Sequence, residues 1–389
     1  MTTPTRPSLS ALTAAALALP GLAQADVQTD YLYSHYQEAD LPSGRAASGR
    51  SSERYTIDSH LFRVVAPFGE QTLSVNATYE TMSGASPWWV QPDADGRPVQ
   101  VMSGASIEEE RADVQASWSL PFADLDWSAS LGYSTEDDYE AINGGIESAY
   151  TPPHGQYTVS GGLGYSYDRL DPVVGASSTD VIDTADKDSV SAYGGVSWIV
   201  DAQTVLQTAL SYTLHDGYLS DPYKRAFIVE DAGTVRDARP DRRALWALSA
   251  RLRHYVGALG GALHVDYRYF HDDWKIEAHT LEVAWNQVIA DSWRLTPALR
   301  WYSQSQAYFY APYYASARGD GLASSDYRLS PYGALSLRVD LRKALGDWEL
   351  GAGAEWYDAS AGYAIGSVDV ANPGLVDYLV LNLRLARRF

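Results

Sequence analysis

The chain has 389 residues, with 49 acids against 29 bases, a formal charge of −20 and no cysteine. Without Cys there is no disulfide framework, thiolate metal site or Cys nucleophile, and the negative balance is the wrong sign for a general nucleic-acid binder. A hydrophobic content of 46%, with 12 Trp and 28 Tyr, is too apolar for acidic disorder, and a transmembrane β-barrel takes this length as one unit.

Met1 to Ala25 reads as a cleaved secretory signal peptide. Arg6 gives a positive start, Leu9 to Leu19 is apolar, and Ala23-Gln24-Ala25 offers a small-x-small cleavage site. The apolar run is shorter than the ~20 residues a membrane helix needs. Residues 26–389 are then expected to form one barrel domain.

Beyond the leader the chain repeats with period two. Leu73, Val75, Ala77 and Tyr79 alternate with Ser74, Asn76 and Thr78. Ala112 to Leu120 and Leu125 to Tyr133 repeat the pattern around the turn Pro121-Phe122-Ala123-Asp124. It returns through Val190 to Val200, Leu206 to Leu214, Trp246 to Leu252, Leu263 to Tyr269, Trp293 to Trp301, Leu335 to Leu341 and Trp348 to Trp356. Such alternation puts a greasy face and a wet face on each strand. Brief turns near 67–70, 121–124, 201–203, 257–261, 289–292 and 343–347 alternate with long polar connections. The long ones lie near 38–52, 84–105, 170–186, 218–238, 311–325 and 362–374. Short periplasmic turns and long outer loops mark an up-and-down antiparallel outer-membrane barrel. Up-down parity predicts about sixteen strands, or fourteen without the Gly-bearing hairpin around 138–150. Trp118, Trp127, Trp198, Trp293, Trp301, Trp348 and Trp356 fall at or near strand ends, as an aromatic girdle requires. The last strand alternates Leu379, Leu381, Leu383 and Leu385 and finishes on Phe389, read here as the assembly signal.

Several strings carry a resemblance. They are Gln100 to Glu108, Ser134 to Glu140, Gly217 to Lys224, Arg239-Pro240-Asp241, Leu263 to Trp274, Trp301 to Ala307 and Asp326-Tyr327-Arg328-Leu329-Ser330. Together they resemble an uncharacterised proteobacterial outer-membrane family, domain of unknown function 3570. The resemblance implies a barrel in the outer membrane of a Gram-negative bacterium. It also implies exported neighbours, including small lipoproteins, thioredoxin-like proteins and a periplasmic flavin transferase, and hence envelope redox or metal traffic. It implies no catalytic residue.

The expected lumen face is Ser-, Thr-, Asn- and Gly-rich in the first half, with Glu80, Arg111, Asp113 and Asp126. It becomes charged in the second. There Arg251, Arg253, Arg268, Arg294, Arg300, Arg328, Arg338 and Arg384 stand among Asp266, Glu282, Asp340, Glu349 and Glu355. An arginine-lined wall lowers the barrier for anions. The interleaved signs favour a ladder of Arg–carboxylate pairs that stiffens the wall. The remaining acids, among them Glu108, Glu109, Glu110, Glu136, Asp137 and Asp138, fall at strand ends and loops. They read as a solvated rim or as ligands for hard cations.

The densest histidine cluster is His271-Asp272-Asp273 with Glu277 and His279. Facing positions on a hairpin offer a weak metal site or a hydrolytic centre, against the reading of a polar hairpin tip. Pro87-Trp88-Trp89, Tyr308-Phe309-Tyr310, Tyr313 and Tyr314 offer sugar-stacking surfaces or, more simply, girdle and loop-core residues. No phosphate loop, nucleophile elbow or dinucleotide fingerprint occurs in a credible context.

The expected function is a pore or facilitator for a small polar solute or ion, without a cofactor and not an enzyme. The alternatives are a scaffold for periplasmic or lipoprotein partners and an outer-face hydrolase. Expected partners are outer-membrane lipid, lipopolysaccharide and the barrel-assembly machinery, with no nucleic acid.

Overall fold

The computed structural model describes residues 26–103, 107–173 and 181–389. The expected leader, Met1 to Ala25, lies outside these. Strands β1 (Gln28–Glu38), β2 (Thr56–Phe68), β3 (Gln71–Gly84), β4 (Pro87–Pro92), β5 (Pro98–Met102) and β6 (Ile107–Phe122) come first. They are followed by β7 (Leu125–Thr135), β8 (Tyr139–Tyr150), β9 (Tyr157–Leu170), β10 (Ala185–Asp201) and β11 (Thr204–Gly217). Next are β12 (Arg225–Ile228), β13 (Gly233–Arg236), β14 (Arg242–Val256), β15 (Gly261–Asp272), β16 (Glu277–Ile289) and β17 (Trp293–Gln304). The chain closes with β18 (Tyr332–Leu345), β19 (Trp348–Ser360) and β20 (Tyr378–Arg388).

Sixteen of these strands form one closed antiparallel barrel; β4–β5 and β12–β13 are separate two-stranded hairpins within connections. The hairpin around 138–150 belongs to the wall, so the larger strand count holds. Closure joins β20 to β1, with Tyr33 opposite Leu383. The barrel thereby leaves no free edge to aggregate.

Period two explains the wall. Along β18, Leu337, Val339 and Leu341 point outward and are exposed, while Ser336, Arg338 and Asp340 face in. Leu131 on β7 and Leu163 on β9 are 71% and 63% exposed. An apolar surface of this extent is stable against hydrocarbon, where a closed sheet pairs the backbone of each strand with its neighbours.

The two ends differ. At one end the turns are tight. Ala123 and Asp124 both have positive φ between β6 and β7, the backbone that matches the twist of a two-residue hairpin. At the other end long connections fold over the opening and bond to one another. Ala47 N–H donates to Gln100 O at 2.9 Å, Val229 N–H to Tyr314 O at 2.8 Å, and Ala323 N–H to Ala238 O at 2.9 Å. Asn372 Nδ2 donates to the Tyr310 hydroxyl and to Ser325 O, at 2.8 and 3.1 Å. The result is a cap with its own core: Phe309, fully buried, packs with Trp274, Ile276, Ala307, Tyr310 and Leu329.

Candidate functional site

The inner wall has two faces. On β7–β9 it is lined by Ser130, Gly132, Asn143, Gly145, Ser160, Gly162 and Gly164. At Gly162 a Cβ would stand 2.6 Å from Tyr193 Cε1, so Gly there lets the Tyr193 ring lie against the wall. On β14–β20 and β1 the same face carries charge. The Arg253 guanidinium donates to both Asp266 oxygens, one at 2.9 Å. Arg338 reaches Glu282 at 2.8 Å and Asp340 at 3.2 Å. Arg384 bridges Asp30 at 2.5 Å and Glu349 at 2.8 Å. Ser336 donates to Glu355. A cavity of about 290 Å³ lies between these strands, lined by Arg253, Asp266, Glu282, Arg294, Arg338 and Arg342 among others.

The structure therefore places Arg251, Arg253, Arg268, Arg294, Arg300, Arg338, Asp266, Glu282, Asp340 and Glu355 on the inner face of the wall. Arg328 differs. It was expected on a wall strand, but it sits on a 3-10 turn, Tyr327–Leu329, within the cap. The physical reason is local. The Asp326 side chain accepts from Arg328 N–H and caps the turn, and Ser330-Pro331 ends it before β18 begins. Arg342, which sequence reading left out, takes a place on the inner face opposite Arg294.

Arg328 belongs to a buried ionic cluster that links three cap segments. It reaches Asp326 at 2.5 Å and Asp221 at 3.0 Å. Arg239 reaches Asp326 at 2.9 Å and Asp237 at 2.7 Å. Lys224 Nζ lies 4.0 Å from Asp326 and donates to Pro87 O at 2.9 Å. Asp237 Oδ2 also accepts from Asp221 N–H at 2.8 Å. Burial works against the Asp326 carboxylate, but Arg328, Lys224 and Arg239 outweigh it and hold its pKa well below the ordinary range. At Asp237 burial wins over Arg239 and the pKa rises. Burial also lowers Lys224, against the pull of Asp326. Beside the cluster, Arg54 pairs with Glu38 at 2.6 Å, and both side chains are nearly sealed from solvent. The strings 217–224, 239–241 and 326–330 supply most of the cluster; their Asp and Arg content was the available signal.

His271, Asp272, Asp273 and His279 do not converge. His271 faces outward, packed on Trp246 at 5.8 Å between ring centroids, with Glu277 3.6 Å away. His279 accepts from or donates to the Tyr267 hydroxyl at 2.8 Å. Asp272 points the other way, fully buried, and is held by Arg243 at 2.5 Å and by Ile276 N–H at 2.8 Å. Period two separates adjacent residues onto opposite faces of the wall, which is why a compact motif in sequence is divided in space. Asp273 is exposed in the turn. Elsewhere Glu109, Glu136 and Asp138 each bring one oxygen within 4.8 Å of the others. Arg111 lies 3.6 Å from Glu136, and Tyr223 donates to Asp138.

The loop aromatics build the cap. Phe309, Tyr310 and Tyr314 are buried in it, Trp88 stacks on Trp89, and Trp89 Nε1 donates to Gln91. They are loop-core residues, with Tyr308 left 45% exposed. Phe389 stands outward at the tight-turn end, its ring under the Arg387 guanidinium at 4.2 Å.

Residues 9–374 match the family described as "Protein of unknown function (DUF3570)". No curated protein matches the chain. Among solved structures, CdiB from Acinetobacter baumannii is similar with a TM-score of 0.52 and 10% identity, over 95% of this chain and 61% of that one. A bacterial polysaccharide outer membrane secretin gives 0.48 and 10%, over 95% and 100%. A mutant ferric enterobactin receptor (PfeA) from Pseudomonas aeruginosa gives 0.46 and 12%, over 93% and 60%. The chain thus spans about three fifths of the length of that receptor and of CdiB. At these identities the likeness is one of fold: a closed barrel of the outer-membrane kind.

Proposed function

The chain belongs to the DUF3570 family, and from that premise we propose that it is an outer-membrane barrel that passes a small polar solute or ion, with the loop cap as its closing element. The observation that carries this reading is the contrast within one lumen. Below the cap the inner wall is hydrophilic, and a cavity of about 290 Å³ lies against its β14–β18 arc. Barrels of this strand number are wide enough to hold an aqueous channel where loops do not fill it.

In this reading the apolar outer surface faces the outer membrane, the tight turns face the periplasm, and the cap faces outward. Lipid and lipopolysaccharide surround the wall, and the barrel-assembly machinery reads the last strand and Phe389. The reading is non-enzymatic. The outward His271 and His279 and the inward, arginine-bound Asp272 support it against a hydrolase.

Single-channel recording of the purified protein in planar bilayers tests the proposal. Discrete conductance steps are expected, larger or more frequent when the cap is loosened by Asp326→Asn. A barrel silent at every salt concentration, with and without that substitution, would sink it. A second reading, a scaffold for periplasmic or lipoprotein partners, is favoured by the density of the cap's internal bonds. Crosslinking in whole cells should then recover one defined partner; repeated recovery of the barrel alone counts against it.

A further inference from the structure

Arg294 and Arg342 stand directly opposite one another on β17 and β18, both on the lumen face. Like charges in directly facing positions destabilise a sheet. Around them the signs are matched. Arg338 engages Glu282 and Asp340, and Arg253 engages Asp266. Glu349 lies 2.8 Å from Arg384 but 3.7 Å from Arg342. Arg294 has no carboxylate partner among the described residues. A wall whose charges served only to stiffen it would place a carboxylate opposite Arg342.

We propose that Arg294 and Arg342 form a binding site for a small oxyanion carrying two charges, such as inorganic phosphate, a phosphate ester or a dicarboxylate. The inference rests on the lumen being a passage, and names the class of solute that the passage favours. Two guanidinium forks match the oxygen geometry of phosphate or carboxylate. An anion between them converts their repulsion into two attractions. The cavity of about 290 Å³ that they line also exposes Thr296 and Asn286. Those two are linked, the Thr296 hydroxyl donating to Asn286 Oδ1 at 2.9 Å. They add neutral polar contacts on the Arg294 side. Asp340, opposite Thr296 on β18, and Glu282 are both held by Arg338, and Asp266 by Arg253, which keeps the remaining wall near neutrality, so an anion is held at one point and then released toward a surface that does not retain it. Passage needs binding that is favourable but escapable.

The test uses the full barrel in detergent micelles, with inorganic phosphate as the probe and heat-modifiable gel migration as the check that each variant is folded. Titration calorimetry should show about one phosphate per barrel, and phosphate should raise the melting temperature, since a ligand bound only to the folded state stabilises it. Arg294→Gln and Arg342→Gln should each weaken binding at least tenfold. Without phosphate, Arg294→Gln should melt at or above the parent temperature, because it removes a like-charge contact. Arg63→Gln, outside the cavity lining, should bind as the parent does. If Arg294→Gln fails to fold, Arg294→Lys keeps the charge, loses the fork, and should still weaken binding. Undetectable phosphate binding, or binding unchanged in the Arg294 and Arg342 variants, overturns the site. A barrel that binds phosphate but never conducts retains the site and removes the passage; one that conducts without binding removes the site alone.

Discussion

The barrel handles charge in two ways at its two levels. In the lumen, Arg338 and Glu282 pair with side chains 33% and 23% exposed. In the cap, Arg239 and Asp326 pair at 10% and 0%. The chemistry is the same and the surroundings differ. The lumen pairs are partly exposed, so solvent screens them and each should contribute little. The sealed cap cannot hydrate a broken pair. There a missing partner leaves a bare buried charge, and the cost is several times larger. The lumen wall should therefore tolerate substitution, whereas the cap is held by a few side chains that act together.

The largest effect should come from Asp326→Asn. Asp326 accepts from Arg239 and Arg328 and lies 4.0 Å from Lys224 Nζ. Neutralising it leaves three buried cations facing Asp221 and Asp237, at a cost of about 3–5 kcal/mol to the folded cap. Limited proteolysis should then cut within 218–241 and 305–331, while the barrel still migrates as a folded, heat-modifiable band. If cutting rates stay at the parent level, the cluster does not hold the cap.

Phe309→Ala should follow closely. Phe309 is fully buried among Trp274, Ile276 and Leu329, edge-on to the Trp274 ring at 5.2 Å. Removing the ring should cost about 3–5 kcal/mol through lost transfer and a residual cavity. Hydrogen exchange should quicken across 273–276 and 305–329, and stay slow in the strands.

Acid should open the cap more gradually. Against burial, the pKa of Asp326 is held low by Arg328, Lys224 and Arg239. A carboxylate depressed on folding contributes stability that is complete above its unfolded pKa and lost as pH falls through the folded one. The loss should therefore begin near pH 4, the ordinary carboxylate range, and deepen below it. Asp237, raised by burial, acts in the opposite sense and makes the profile shallower. Loop proteolysis by an acid-active protease, compared from pH 6 down to 3, measures this. A protection profile flat down to pH 3 would remove the electrostatic account.

These contrasts explain which parts were legible in the sequence. Alternation has a period of two and is local, so the outward faces of β3, β6, β14 and β18 could be read residue by residue. The signs of the lumen charges followed from the same parity. The cap has no period. Asp221, Asp237 and Asp326 meet only because three connections, distant in sequence, cross over one opening. The turn at 273–276 drew notice for Asp273 and the histidines that flank it, yet its structural part is to insert Trp274 and Ile276 into the cap core. Arg328, expected on the lumen face, is instead fixed in the cap by a 3-10 turn that the Asp326 side chain caps. The His271–His279 motif failed for the converse reason: parity, applied strictly, already separates His271 from Asp272 onto opposite faces.

The smallest effect should come from Arg338→Ala. Arg338 touches two acids, Glu282 at 2.8 Å and Asp340 at 3.2 Å, and a count of contacts alone would rank it beside the cap arginines. Exposure decides otherwise. Water from the lumen can solvate Glu282 and Asp340 once Arg338 is gone, so the loss should be no more than about 1 kcal/mol and should shrink further at high salt. Denaturant midpoints of parent and variant, taken at low and high ionic strength, measure both quantities. The same substitution removes one positive charge beside Arg294 and Arg342 while leaving two acids in the cavity, so the lumen should become less favourable to anions even though the barrel is barely destabilised. A loss of several kcal/mol, insensitive to salt, would mean that the lumen pair is as sealed as the cap, and the contrast between the two levels would disappear.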